Sequence, residues 1–237
     1  MNADETDDPL APIGNAKLDP PPPSAVLLAR VGAMRPVRPR SRFDAFLAVL
    51  LLGLVWPAFT LLRRPLRPDL GALPPAWVFA GAAIWGTALL TTLAAALVPR
   101  RGDVLPSAPQ ASRTALIALL VLLSFSALGT VSVPGVSLRP MDLQRTLLES
   151  CLACGSYVLG VAGLVLALGV FAVRGALPMG GARVGMALGA AGGAAGGLAL
   201  HFHCPIAVPT HVVLGHAVPV LIAALAGALL VPPLAER

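Results

Sequence analysis

GARVGMALGAAGGAAGGLALHFHCP, residues 181–205, is the stretch whose reading decides the fold. Glycine recurs at 181, 185, 189, 193 and 197, with Gly192 and Gly196 beside them, and the only charged residue in the stretch is Arg183. A segment of this length and polarity matches the roughly 20 mostly apolar residues that cross a bilayer core as a helix. Small residues at every fourth position leave one helix face bare, so that a second helix can approach it backbone to backbone. Gly181, Gly185, Gly189, Gly193 and Gly197 therefore read as a packing seam inside a helix bundle, with a homo-oligomer contact as the other use of such a stripe. No strand precedes these glycines and no phosphate-loop context surrounds them, so the sequence assigns them no catalytic role.

Working outward, five further blocks have the same length and apolar character, and the six together span roughly 44–62, 76–98, 114–133, 149–173, 182–202 and 211–231. The whole chain of 237 residues is 57% hydrophobic and 12% charged, about half the charged fraction of a soluble domain. Its mean hydropathy is +0.82. The fold class expected is an all-α integral membrane protein with six transmembrane helices. The expected divisions are an N-terminal segment 1–43, a bundle 44–231, and a short tail 232–237 that begins where Pro232 and Pro233 close the last block.

A net charge of +6 could suggest nucleic acid, but nearly all the cations are arginines flanking apolar blocks. Basic residues accumulate on the cytoplasmic side of membrane proteins. With the N-terminus inside, twelve lie on that side: Lys17, Arg30, Arg35, Arg38, Arg40, Arg42, Arg100, Arg101, Arg113, Arg174, Arg183 and Arg237. Five lie outside: Arg63, Arg64, Arg67, Arg139 and Arg145. The count places both termini in the cytoplasm and calls for no direct nucleic-acid contact. The first 42 residues contain no apolar run long enough for a cleavable signal, so the first block serves as the anchor.

Residues 1–23 are acidic and proline-rich and end in DPPPP, a composition that buries too little apolar surface to offset chain entropy. They are expected to be disordered. Ser24 then offers an N-cap to a short amphipathic helix over 24–34, too short to be stable alone and suited to folding on a partner. The basic stretch RPVRPRSR (35–42) follows, and its arginines also set topology.

All eleven carboxylates fall at or outside the membrane boundary: five in the N-terminal segment, then Asp44, Asp69, Asp103, Asp142, Glu149 and Glu236. Ion-coupled transporters carry intramembrane ionisable groups, which disfavours a small transporter. No nucleophile, base and acid combination for hydrolysis is present either. What the threading does assemble is every cysteine and histidine: Cys151, Cys154, His201, His203, Cys204, His211 and His216 all come to one rim. Cys151 and Cys154 share a helix face. His211 and His216, five apart, diverge on a regular α-helix. His201 and His203 could act together only if HFHC is extended.

The readings of this rim stay open at the level of sequence. Cys204 could pair with Cys151 or Cys154 as a redox-labile disulfide. The three cysteines and one histidine could hold a soft metal such as zinc. Paired histidines could ligate haem, a use their spacing does not favour. The same side chains could also simply fill the rim. The candidate redox or metal-sensing residues are thus Cys151, Cys154, Cys204, His201, His203 and His211.

The order of elements in the C-terminal third resembles the NrsF-type negative regulators, a family of multi-pass membrane anti-sigma factors. The resemblance rests on CLACGSYVLG (151–160), the loop RGALPMGGAR (174–183), the small-residue helix, HCP (203–205) and VVLGHAVPV (212–220). ARVGAMRPVRPR (29–40) and LRPDL (66–70) resemble the family's opening. Ile206, Ala207 and Val208 depart from the acidic residues that follow Cys-Pro in such proteins, and the extension 1–23 is longer than usual.

The resemblance implies a non-enzymatic protein of the bacterial inner membrane that sequesters an extracytoplasmic-function sigma factor and releases it under stress. Val26, Leu27, Leu28, Val31 and Met34 would supply the apolar contact, and Arg30, Arg35 and Arg38 would pair with acidic sigma surfaces. The signal would be thiol oxidation or metal binding at the cysteines. The competing class is a membrane thiol–disulfide oxidoreductase using Cys151 and Cys154 with Cys204 as resolving thiol; with only three cysteines it lacks a second redox pair.

Overall fold

Among the described residues, the starts of three long helices are set by proline or by a capping box. Pro75 and Pro109 stand in the first turns of their helices, where a missing backbone N–H costs nothing. Thr146 accepts a hydrogen bond from the Glu149 amide, and the Glu149 carboxylate accepts one from the Thr146 amide at 2.9 Å. The resulting helices, seen in a computed structural model, are α1 (Arg42–Arg63), α2 (Pro75–Leu97), α3 (Ala108–Leu128), α4 (Leu147–Val173), α5 (Gly181–His203) and α6 (Pro209–Ala235). The structure describes residues 24–25, 42–63, 65–99, 107–130, 146–174 and 181–235. The chain divides into units 1–39 and 40–237, and all six helices belong to the second. The expected disorder of 1–23, almost all of the helix 24–34, and the contact residues Val26, Leu27, Leu28, Arg30, Val31, Met34, Arg35 and Arg38 lie outside the described residues.

Among the described residues all regular structure is helical, and six helices are long and apolar enough to cross a membrane. Their charged residues sit near helix ends: Asp44, Arg113, Glu149 and Arg183 lie in the opening turns and Arg63 in a closing one. Boundaries differ from expectation in two places. Helix α3 begins six residues before 114 because its polar opening turn, APQASR, is helical although it is not apolar, and it stops at Leu128, where the Gly129 amide caps the Phe125 carbonyl at 2.7 Å. Helix α6 runs through Pro232 and Pro233 to Ala235. Two prolines so near a C-terminus remove only two intrahelical bonds, which the helix tolerates.

Successive helices alternate in direction, because one rim gathers the end of α1, the start of α2, the end of α3, the start of α4, the end of α5 and the start of α6. The Trp77 indole donates to the Gly129 carbonyl, His203 reaches Pro65, and Cys151 reaches His211. Helix α5 is the axis of the bundle: 89% of its spanning window is buried, against 22% for α1. The glycines explain how so many neighbours fit around it. Gly185 lies against Gly227 of α6, Gly189 against Ala223 and Ala224, and a Cβ at Gly193 would stand 2.8 Å from the Val220 Cα. On the adjoining face Gly192 and Gly196 would place a Cβ 2.7 Å from the Ala162 Cα and 2.8 Å from the Val158 Cα of α4. Gly197 lies under the Trp85 ring of α2, and Gly181 is buried at the start of the helix. The seam is therefore occupied within one chain on two faces.

The link between α1 and α2 folds over the end of α5. Arg67 donates through Nε and Nη2 to both carboxylate oxygens of Asp69, each at 2.6 Å, and both residues are 5% exposed. The Arg67 amide donates to the Phe202 carbonyl at 2.9 Å, and its guanidinium stacks 5.5 Å from the Trp77 ring centroid. Asp69 also accepts, at its backbone carbonyl, the amides of Ala72 and Leu73 at 2.9 and 3.1 Å. Removing one partner of a buried pair strands the other charge, at about 3–5 kcal/mol. Asp69→Ala is accordingly expected to lower the thermal midpoint of the detergent-solubilised protein sharply, whereas the double replacement of Arg67 and Asp69 by apolar residues recovers much of the loss.

Candidate functional site

Three helix ends build the cluster. Cys151 and Cys154 lie one turn apart at the start of α4, Cys204 follows the last turn of α5, and His211 and His216 come from the start of α6. Helix α6 packs on α4 at Gly215, where a Cβ would stand in ordinary contact, 3.4 Å from the Cys151 Cα and the Cys154 Cβ. The two thiols of Cys154 and Cys204 are 3.9 Å apart, and Cys204 Sγ lies 3.3 Å from His211 Nε2. Cys151 Sγ faces the other ring nitrogen, His211 Nδ1, at 3.6 Å. No disulfide joins the three cysteines.

Residues 213–217 form a π-helical turn, closed by a hydrogen bond from the Val218 amide to the Val213 carbonyl. The turn is wider than an α-turn, with i→i+5 bonds. Two residues five apart, divergent on a regular helix, are thereby brought together: the His211 and His216 rings lie 5.4 Å apart at 78°. This corrects the expectation that the two histidines diverge. The cause is local. Pro219 has no N–H for the Gly215 carbonyl, and its ring crowds that position in an α-helix. His216 is absent from the candidates that the sequence singles out, and GHAVP (215–219) is the signal that could have found it.

The donor atoms of Cys154, Cys204, His211 and His216 all lie within 4.8 Å of one another, so the cluster could hold a metal ion. His211, His216 and Cys204 are buried and Cys154 is partly so. The site is electrostatically tuned at Cys204, in the link between α5 and α6. A hydrogen bond from Cys154, the contact with His211 and the nearby His216 ring hold its pKa well below the ordinary thiol value, overcoming burial, which acts in the opposite direction. The thiolate is the nucleophilic and metal-binding form of cysteine.

His201 and His203 stand elsewhere. His201 Nε2 donates to the Val78 carbonyl at 3.0 Å, and its ring packs 4.7 Å from Trp77, in space left open by Gly81. His203 Nδ1 donates to the Pro65 carbonyl at 3.1 Å. HFHC is helical up to His203, so the two rings diverge, His201 onto the start of α2 and His203 onto the α1–α2 link. They tie the rim together and do not join the thiols.

A bundle of six helices long and apolar enough to cross a membrane, with a buried thiol and imidazole cluster at one rim, is the architecture of a polytopic helical membrane protein. Residues 30–236 match the family described as negative regulator of sigma F, and the chain belongs to that family. Comparison with curated proteins gave no match, and comparison with solved structures gave none.

Proposed function

We propose that this chain is an anti-sigma factor of the bacterial inner membrane, which retains an extracytoplasmic-function sigma factor at its cytoplasmic N-terminal segment and releases it on a signal read at the opposite rim. The observation that carries the reading is the family match, which covers all six helices and begins at Arg30, just before the basic stretch. The cation count supports a cytoplasmic N-terminus. Arg67, one of the five counted against it, is neutralised by Asp69 and so adds little to the opposing side.

In this reading residues 1–43 bind and the bundle senses. Val26, Leu27, Leu28, Val31 and Met34 form the apolar face that folds on the sigma factor, with Arg30, Arg35 and Arg38 beside it. Such coupled folding suits a segment too short to hold its own helix. The signal, thiol oxidation or a soft metal such as zinc, acts where the Cys204 thiol, its pKa held low, lies 3.9 Å from that of Cys154. It changes how α4, α5 and α6 meet, and the sigma factor leaves under stress. The chain carries out no catalytic turnover. The test is retention: membranes carrying the full chain are expected to hold the sigma factor, and membranes carrying residues 43–237 alone are expected not to. Equal retention by both would rule out the N-terminal segment as the binding element.

A further inference from the structure

We propose that Cys154, Cys204, His211 and His216 form a four-coordinate site for a closed-shell soft cation of the zinc or cuprous-copper class, with Cys151 as the positioning residue for His211. The inference deepens the reading of the cluster as the signal site, although binding itself does not depend on that reading. Two thiolates and two imidazoles suit such ions, and the donor group contains no carboxylate of the kind that hard cations require.

The distances fit. Metal bonds of about 2.3 Å to sulfur and about 2.0–2.1 Å to nitrogen give a tetrahedron with edges of roughly 3.3–3.8 Å. The sulfur–sulfur edge is 3.9 Å, the Cys204–His211 edge is 3.3 Å, and no pair exceeds 4.8 Å. Closing the shell takes a contraction of up to about 1.5 Å on the longest edge, within the reach of side-chain rotation. A second observation points to the same ligand. His216 is 5% exposed, and its Nε2 is buried with no hydrogen-bond partner. A buried polar atom without a partner is costly, and a bound cation is one way to satisfy it.

Cys151 does different work. His211 turns Nε2 toward Cys204 at 3.3 Å and Nδ1 toward Cys151 Sγ at 3.6 Å, so that with an ion on Nε2 the proton sits on Nδ1, facing Cys151. Metal-bound histidines are oriented through their second nitrogen in this manner, and loss of that partner typically weakens affinity 10–100-fold. An access route exists as well: a pocket of about 190 Å³, lined in part by Thr60, Ser150, Tyr157 and His203, reaches both Cys154 and Cys204. An ion arriving there meets the thiols first and the imidazoles second. Each ligating thiol gives up its proton to solvent, and no electron is transferred. Once closed, the site fastens the start of α4 to the π-turn of α6.

The experiment uses the reduced full-length protein in detergent under anaerobic conditions, titrated with cobalt(II) as the zinc probe and, separately, with cuprous ion against a chelator. The expected result is one ion per chain, with tetrahedral cobalt bands, thiolate charge transfer of two-sulfur intensity, and displacement of cobalt by zinc. His216→Leu is expected to weaken binding at least 100-fold while the metal-free melting temperature holds or rises, since the variant removes an unpaired buried nitrogen. Cys151→Ser is expected to weaken binding roughly 10–100-fold with two-sulfur intensity unchanged. The proposal is overturned by absent stoichiometric binding, by affinity that His216→Leu leaves intact, or by loss of one sulfur's intensity in Cys151→Ser. A Cys154–Cys204 disulfide forming in protein that binds neither ion would assign the pair to thiol oxidation instead. No arm involves the sigma factor, so failure here and failure of sigma retention are separate results.

Discussion

Gly189→Leu is expected to abolish the folded bundle, while Gly163→Ala leaves it unchanged or slightly firmer. The two glycines differ only in what surrounds them. A Cβ at Gly189 runs into the Ala223 carbonyl, with the carbonyl carbon 2.6 Å away and the Ala224 Cα at 2.8 Å. The obstacle is backbone, which cannot rotate aside as a side chain does. Overfilling a packed interior ordinarily costs about 1–3 kcal/mol, and a leucine between two backbones exceeds that range. Helix α6 would have to move away from α5, and the cluster it contributes to would open. At Gly163 nothing lies within 4 Å of an added Cβ, and alanine is the better helix former by up to about 1 kcal/mol. Detergent-resistant folding, followed by thermal melting, distinguishes the two variants. A stable Gly189→Leu protein would mean that α5 and α6 do not pack as described.

Replacing Cys151, Cys154 and Cys204 together with serine is expected to abolish the transcriptional response to the stimulus and to leave sigma retention intact. Serine is nearly isosteric with cysteine, so the helices keep their contacts. It supplies neither a thiolate for a soft ion nor a sulfur that can be oxidised. The expected phenotype is therefore constant repression, measured with a reporter transcribed by the sigma factor. A variant that still responds would return the three thiols to simple packing, and one that no longer represses would place them in the binding function.

The spans are legible in the sequence because apolar length is a strong signal, and the central helix is legible because glycines every fourth residue have a geometric meaning. Boundaries are less so. Polar residues such as Gln110, Ser112 and Arg113 continue α3 beyond its apolar stretch, and hydropathy does not register them. The capping box at Thr146 and Glu149 is readable from its T-x-x-E spacing. The site is only partly legible. Cys154, Cys204 and His211 are marked by the convergence of all soft ligands at one rim. His216 escapes a reading that assumes a regular helix where a π-turn occurs, and that turn follows from Pro219, which has no N–H for the carbonyl of residue 215. His201 and His203 enter the candidates because adjacency in sequence suggests adjacency in space, yet their rings serve Val78 and Pro65. Arg67 and Asp69 count as two loop charges in the sequence, and only the fold shows that they cancel.

The central claim is that the N-terminal segment holds a sigma factor at the membrane. An affinity pull-down from native membranes, with the full chain and with residues 43–237 as baits, tests it most directly. The expected result is a sigma factor recovered with the full chain alone, in near-stoichiometric yield. Recovery with both baits, or with neither, would contradict it.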